Sequence, residues 1–342
     1  MSATKTDITV ATSPSGGMGY WAQRLGLREL ALIPIIILLC IAGASISDAF
    51  LRPSNLINIL QQSSELSILV IAQSIILISG KFDLSLESIV GVAPMFAAWL
   101  ILTDTSIGGS GVGISVWLAI PLVFAVGAFI GLVNGFLVVR LGLNAFITTL
   151  AMLILLRGTT VGMTNGRTMY GMPDAFLFLG NTRWLGLPLS VWIAGFLFLV
   201  FGLFMRYHRV GRNLYAIGGN AQAARVSGIP VDRMIWGVYI LGGILAALAG
   251  LMLTGRIASV TASQGQNMIF YVFAAAVIGG ISLNGGQGRL IGALTGVLML
   301  GVLQNVLILA QVAAFWIDAC FGAIILIALI IARFSGDGAS RN

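Results

Sequence analysis

Asp83 and Glu87 stand four residues apart, a spacing that sets two carboxylates on one face of a helix, where they could relay a proton. Together with Glu65, Arg157 and Asp318 they fall in or at the edges of long apolar stretches. Ionic groups at such depth are costly in lipid and face a cavity or a partner. Lys81 beside them supports a plainer reading, in which the pair is solvated at a membrane interface. Uncharged polar groups are more numerous: Gln61, Gln62, Ser63, Ser64, Gln73, Asn134, Asn144, Thr148, Thr149, Gln304, Asn305 and Gln311. Amides and hydroxyls exchange hydrogen bonds with an uncharged, hydroxyl-rich solute, and they equally bond one helix to another. On residue type and position, Asp83, Ser85, Asn134, Thr148, Thr149 and Asn305 are the candidates for the wall of a translocation path. Phe82, Trp99, Phe136 and Phe146 could stack on a sugar face or serve as packing and interfacial anchors.

Covalent chemistry has no carrier here. The chain contains no G-x-x-x-x-G-K-[ST] loop, no G-x-S-x-G elbow and no H-E-x-x-H helix. The run Asn284-Gly285-Gly286-Gln287-Gly288 lacks the lysine and the preceding strand of a phosphate cradle, and reads as a tight interhelical turn. Cys40 and Cys320 lie in apolar stretches with no metal-ligand spacing, and the single histidine, His208, sits in a basic loop. No catalytic residue, metal or cofactor is expected, and the chain reads as non-catalytic.

The elements that must position these groups follow from composition. Of 342 residues, 58% are apolar and 8% charged, with a mean hydropathy of +1.03. Soluble domains run at about a quarter charged residues, so the solvent for most of this chain is lipid. A transmembrane helix needs about 20 apolar residues. Spans are expected at 29–48, 63–80, 84–103, 114–139, 145–163, 186–206, 233–256, 268–283, 288–310 and 313–333. The segment 257–283 is the most mixed. The fold expected is therefore an all-α polytopic membrane protein of about ten helices. It comprises a tail over 1–28, one transmembrane domain over 29–333 and a second tail over 334–342. Residues 1–20 are polar, so no cleavable signal is expected.

Orientation follows from Lys and Arg. With the N-terminus inside, the cytoplasmic segments hold Lys5, Arg24, Arg28, Lys81, Arg140, Arg206, Arg209, Arg212, Arg225, Arg233, Arg289, Arg333 and Arg341. The outer segments hold only Arg52, Arg167, Arg183 and Arg256, with Arg157 inside a span. Both termini are thus expected in the cytoplasm. The net charge of +7 is accounted for by this bias, without a nucleic-acid partner. The long outer segment 164–185 carries Gly171, Pro173, Asp174 and Gly180 as turn formers. Ile78-Ser79-Gly80 is echoed by Ile278-Gly279-Gly280, a weak sign of duplicated halves.

The cytoplasmic connection 207–232 carries the sharpest local signal. Asn220 is a good N-cap, residues 221–227 have high helix propensity, Gly228 suits the C′ position and Pro230 stops continuation. A short helix bounded at both ends and displayed in water is a docking element for a cytoplasmic protein.

Residues 211–229 resemble the cytoplasmic signature of the ribose-type branch of ABC importer permeases, G-R-x-x-Y-A-I-G-G-N-x-x-A-A-R-x-x-G-I. Gly80-Lys81-Phe82-Asp83-Leu84-Ser85-Leu86-Glu87-Ser88 is similar to that family's G-G-I-D-L-S-V-G-S. Gly131-Leu132-Val133-Asn134-Gly135, Phe146-Ile147-Thr148-Thr149-Leu150, Arg157-Gly158 and Gly285-Gly286-Gln287-Gly288 also follow its pattern in order. Departures are Lys81 and Glu87 in place of glycines, Ala145 in place of proline, and Ile269 and Tyr271 where acidic residues are usual.

The resemblance implies a permease subunit that moves a monosaccharide or polyol across the bacterial inner membrane by alternating access. It implies ATP hydrolysis by separate cytoplasmic ABC ATPase subunits, delivery by a periplasmic solute-binding protein, and a second permease copy or homologue. By match, Gly219, Asn220, Ala223, Ala224, Arg225, Gly228 and Ile229 would couple to the ATPase. Two other readings remain open on the residues: an ion-coupled secondary transporter built on Asp83 and Glu87, and a branched-chain amino-acid permease.

Overall fold

The computed structural model describes residues 32–337. The 1–28 tail, the start of the span expected at 29–48, and residues 338–342 lie outside the described residues, as do Lys5, Arg24, Arg28 and Arg341 of the charge tally. Thirteen helices are described. They are α1 (Ile33–Ile46), α2 (Pro53–Ile78), α3 (Leu86–Ile101), α4 (Val116–Gly135), α5 (Ala145–Thr164), α6 (Asp174–Asn181) and α7 (Leu189–Tyr207). They continue with α8 (Arg209–Gly219), α9 (Ala221–Val226), α10 (Val231–Ile257), α11 (Met268–Ile278), α12 (Leu290–Leu309) and α13 (Ala314–Asp337). A two-stranded ribbon, β1 (Arg183–Trp184) and β2 (Leu187–Pro188), leads into α7.

Six helices are long and apolar enough to cross a membrane: α2, α4 with the π turn Phe136–Arg140 that extends it, α5, α7, α10 and α12. Four more, α1, α3, α11 and the first part of α13, are apolar but shorter. Each expected span thus contains one helix, with two notable differences. The span expected at 63–80 begins ten residues earlier, because Pro53 starts α2 at a position where its missing N–H costs nothing. Its polar first turns hid it from a hydropathy reading. The span expected at 268–283 ends at Ile278, where Gly279-Gly280 turns the chain.

Two long helices form the centre. In α2, 78% of the most apolar window is buried within the protein and in α10 61%, against 22% in α5 and α7, whose outer faces are exposed. The central pair is antiparallel: Glu65 of α2 meets Arg256 at the end of α10, while Tyr239 near the start of α10 donates to the Phe82 carbonyl just past the end of α2 (3.0 Å). Around them the packing repeats with exchange. α10 lies against α3 and α4, and α2 lies against α11 and α12. α3 touches α4 and α5, as α11 touches α12 and α13. This is the pattern of an inverted repeat relating α2–α5 to α10–α13.

The echo between 78–80 and 278–280 has a different, local meaning. Lys81 N–H donates to Ile76 and Gly80 N–H to Leu77, just as Ile281 donates to Ala276 and Gly280 to Val277. Both are helix caps closed by a left-handed glycine, Gly80 at φ 75° and Gly280 at φ 86°.

Small residues let α10 touch its neighbours backbone to backbone. A Cβ on Gly127 or Gly131 of α4 would overlap the carbonyls of Gly243 and Tyr239. Gly180, expected to form a turn in the outer segment, instead lies in α6, where a Cβ would overlap the Met252 carbonyl of α10. Such approach is how helices gain packing in lipid, which offers no hydrophobic drive. We predict that Gly131→Val lowers stability by on the order of 3 kcal/mol, as overpacking does. Gly195→Ala in α7, with nothing near its Cβ position, should be neutral or slightly stabilising. Thermal unfolding in detergent distinguishes the two.

Candidate functional site

The connection between α7 and α10 is two helices, of which the sequence announced only the second. His208 caps α8 by accepting from the Val210 N–H (3.3 Å) and stacks on Phe204. α8 buries Gly211, Leu214 and Ile217 along one face. At Asn220 the chain breaks, and the Asn220 side chain accepts from the Ala223 N–H (2.9 Å) to start α9. The stop is as expected: Gly228 takes φ 83°, and the Gly228 and Ile229 N–H groups bond back to Arg225 and Ala224. Ala224 is buried and anchors α9, while Val226 is 86% exposed. Gly219, Ala223 and Gly228 are exposed as well, and Ile229 is half-buried. Arg225 is not free: it makes two hydrogen bonds to Asp232 (2.7 and 3.3 Å) across the loop.

This displayed segment is joined to the core at one crowded point. The Gly286 N–H donates to the Ile78 carbonyl at the end of α2 (2.8 Å). A Cβ on Gly218 would overlap both groups. The Tyr215 hydroxyl donates to the Gly288 carbonyl (2.8 Å). The end of α2, the end of α8 and the α11–α12 turn are therefore wedged together, which is what the glycine run 284–288 does here.

The expected path residues divide into two places. Asp83 precedes α3 rather than lying on it, so it does not share a helix face with Glu87. Its Oδ1 accepts from the Ser85 N–H (2.9 Å) and hydroxyl (2.6 Å), forming a turn that starts the helix. The Asn134 amide of α4 donates to the Ser85 hydroxyl (2.7 Å) and reaches Asp83 Oδ2 (3.5 Å). Thr149 of α5 accepts from the Leu84 N–H (3.1 Å). All four residues are fully buried, and Thr148 nearly so. Burial pushes the Asp83 carboxyl up to about 6, against the pull of the bonds from Ser85 and Asn134. The cluster holds the α2–α3 connection to α4 and α5. Asn305 lies elsewhere, on α12, in a reciprocal amide pair with Asn55 of α2 (2.9 and 2.8 Å).

The ion pairs were invisible in the sequence because their partners lie far apart along it. Glu65 is held by Arg256 through two hydrogen bonds (2.7 and 3.1 Å). Glu87 is held by Arg157 (2.8 Å) and by the Ile269 N–H (3.2 Å). Two departures from the family pattern quoted above, Glu87 and Ile269, thus meet in space. Asp318 accepts from the Tyr271 hydroxyl (2.6 Å). Beside the Glu65 pair, a cleft of about 320 Å³ opens between Asn58, Gln61, Gln62, Gly180, Asn181, Arg183 and Arg256.

Breaking the Glu65–Arg256 pair should be asymmetric. The Glu65 side chain is 2% exposed and that of Arg256 29%, so Arg256→Gln strands a buried carboxylate whereas Glu65→Gln leaves a cation that reaches water. We predict a loss of about 3–5 kcal/mol for Arg256→Gln and clearly less for Glu65→Gln, read from unfolding in detergent.

The chain matches a family model described as "Branched-chain amino acid transport system / permease component" over residues 55–329. The ribose import permease protein RbsC of Escherichia coli K12 is 34% identical over 94% of this chain and 98% of that protein. RbsC of Bacillus subtilis 168 is 34% identical over 91% and 93% of the two chains. The L-arabinose transport system permease protein AraH of Escherichia coli K12 is 34% identical over 75% and 76%. No solved structure matches. With a family match across most of its helices and 34% identity to ribose permeases over more than nine-tenths of its length, the chain belongs to this permease family, in its ribose-type branch.

Proposed function

We propose that this chain is the membrane-spanning, non-catalytic subunit of an ATP-driven importer of a monosaccharide, in the cell's inner membrane. The single observation that carries the proposal is α9, a helix capped by Asn220, closed by Gly228 and displayed beyond the bundle. Cytoplasmic ATPase subunits would grip it, with Gly219, Asn220, Ala223, Ala224, Arg225, Gly228 and Ile229 forming the coupling surface. Both chain termini would lie on that same side. Movement of α9 would pass through α8 to the glycine wedge, and from there to α2 and the α11–α12 turn. A second permease copy would complete the path, and a solute-binding protein would dock on the outer segment 164–185. ATP binding and hydrolysis would act by favouring one of two permease states.

The choice of a sugar rests on the relatives, which are named for ribose and L-arabinose import, and on the preponderance of amides and hydroxyls over charges. An ion-coupled carrier fits less well, because Glu65 and Glu87 are ion-paired and Asp83 is enclosed by Ser85 and Asn134. The Asp83, Ser85, Asn134, Thr148 and Thr149 cluster would reach solute only if the helices part during transport.

Because Arg225 is already bound to Asp232, its variants need a control. Arg225→Glu should leave the protein in the membrane and abolish co-purification with the ATPase or ATP-driven uptake of D-ribose. The exchange Arg225→Asp with Asp232→Arg restores the pair within the loop. If the exchange restores uptake, Arg225 acts by shaping the loop; if it does not, Arg225 meets the ATPase directly. Gly228→Pro, which forbids the positive φ, should also uncouple. Normal assembly and uptake in both Arg225→Glu and Gly228→Pro would refute docking on α9.

A further inference from the structure

Three polar side chains on α2 and α12 have no use in the contacts described so far. Asn58 and Gln62 of α2 are exposed, Gln304 of α12 is half-buried, and none makes a side-chain hydrogen bond among the described residues. Gln62 lies about 5 Å along the axis from the midpoint of α2, a helix long enough to cross a hydrocarbon layer about 30 Å thick. An amide facing lipid there would lose its hydrogen bonds. The most exposed side chains of other helices are apolar: Phe129 of α4, Leu155 of α5 and Leu199 of α7 are each more than 60% exposed, whereas Leu60 and Ile308, near Gln62 and Gln304 in sequence, are 36% and 50% exposed.

A second, independent feature points into the same place. Ser63 is only 4% exposed, and its hydroxyl, like the Gln73 amide, the Asn134 Oδ1 and the Ser74 and Ser190 hydroxyls, has no hydrogen-bond partner among the described residues. It faces a notch of about 30 Å³, room for a single hydroxyl or water, bordered by Gln62, Gln304 and Asn305. Gly301 of α12 keeps the notch open: a Cβ there would overlap the Ser63 hydroxyl. The Asn55–Asn305 amide pair ties α12 to α2 about one turn from Gly301 and about two turns from Ser63, so the notch is framed on that side. No ionisable side chain borders it.

Resting on the transport function proposed above, we infer that Gln62, Ser63 and Gln304 form a solute-contact station on the translocation path. It takes an uncharged, polyhydroxylated solute, one hydroxyl of which enters the notch between Ser63 and Gly301. Gln62 and Gln304 offer both donors and acceptors at its rim, which suits hydroxyl groups and gives no anchor to a carboxylate or an ammonium. The path then runs along the α2–α12 face and opens through the cleft at Asn58 and Gln61, where Arg183 and the Glu65-paired Arg256 also line the wall, so selection against charge belongs to the notch and not to the cleft.

The test uses the assembled importer in nanodiscs, in a Cys40→Ala, Cys320→Ala background. Gln62→Cys and Gln304→Cys should react with a membrane-impermeant maleimide at least about tenfold faster than Leu199→Cys, because a thiolate forms only where water reaches. Rates equal to that of Leu199→Cys overturn the inference, since the face would then be covered by lipid or by a second copy of the chain. In reconstituted importer, Ser63→Ala should raise KM for ATP-driven uptake of D-ribose or L-arabinose by about two- to tenfold, the worth of one neutral hydrogen bond. Its thermal stability should not fall, because the hydroxyl has no partner to lose. Gly301→Ala should act in the same direction by displacing the hydroxyl. Unchanged uptake kinetics in both variants also overturn the inference. An unsubstituted importer that carries no monosaccharide sinks the proposed function instead, while the labelling comparison still decides the amide face.

Discussion

A polar group between helices must find its partner in the protein, because hydrocarbon has none to offer. This requirement organises the whole bundle. Glu65 ties the middle of α2 to the end of α10, and Glu87 ties α3 to Arg157 of α5 and to the first turn of α11. Asp83, Ser85 and Asn134 close the α2–α3 connection onto α4. Apart from the local Asp83–Ser85 bonds, each joins elements far apart in the chain, so the polar groups act as register marks between helices whose apolar surfaces would slide. Some buried polar pairs are known to specify arrangement more than they stabilise it.

Close backbone contact does the complementary work. The faces of α10 carrying Tyr239, Gly243 and Met252 meet glycines of α4 and α6. Such contacts give dispersion over a wide area and fix distance, while the polar bonds fix register. The combination makes α2 and α10 a rigid antiparallel pair, each surrounded by helices of the opposite half. Force applied at one end of α2 therefore reaches both halves. The glycine wedge of Gly80, Gly218 and Gly286 places the displayed helix α9 at that end.

The sites that break the rule are the informative ones. Gln62 and Gln304 reach outward unbonded, and the Ser63 hydroxyl, like the Gln73 amide and the Ser74 and Ser190 hydroxyls, is buried without a partner among the described residues, whereas Glu65 and Glu87 are ion-paired. α9 breaks a different rule, since a connection between spans has no need of caps at both ends. One exception faces the α2–α12 groove and the other lies beyond the end of α2. Alternating access would connect the two through that helix.

Local features were legible in the sequence because they depend on neighbours along the chain. Apolar runs located one helix in each expected span, Asn220 and Gly228 delimited α9 almost to the residue, and the motif order pointed to the ribose-type permeases. What depends on neighbours in space was not legible. Hydropathy missed the first turns of α2, whose amides face protein and cleft, and it gave α11 more length than the Gly279-Gly280 cap allows. Asp83 and Glu87 looked like a pair at helical spacing, yet the Ser85 turn separates them and sends Glu87 to Arg157. Spacing along a chain determines which face of a helix a side chain takes. Only the packing of helices decides what that face meets, because the partners that satisfy it come from residues 70 and 191 positions away.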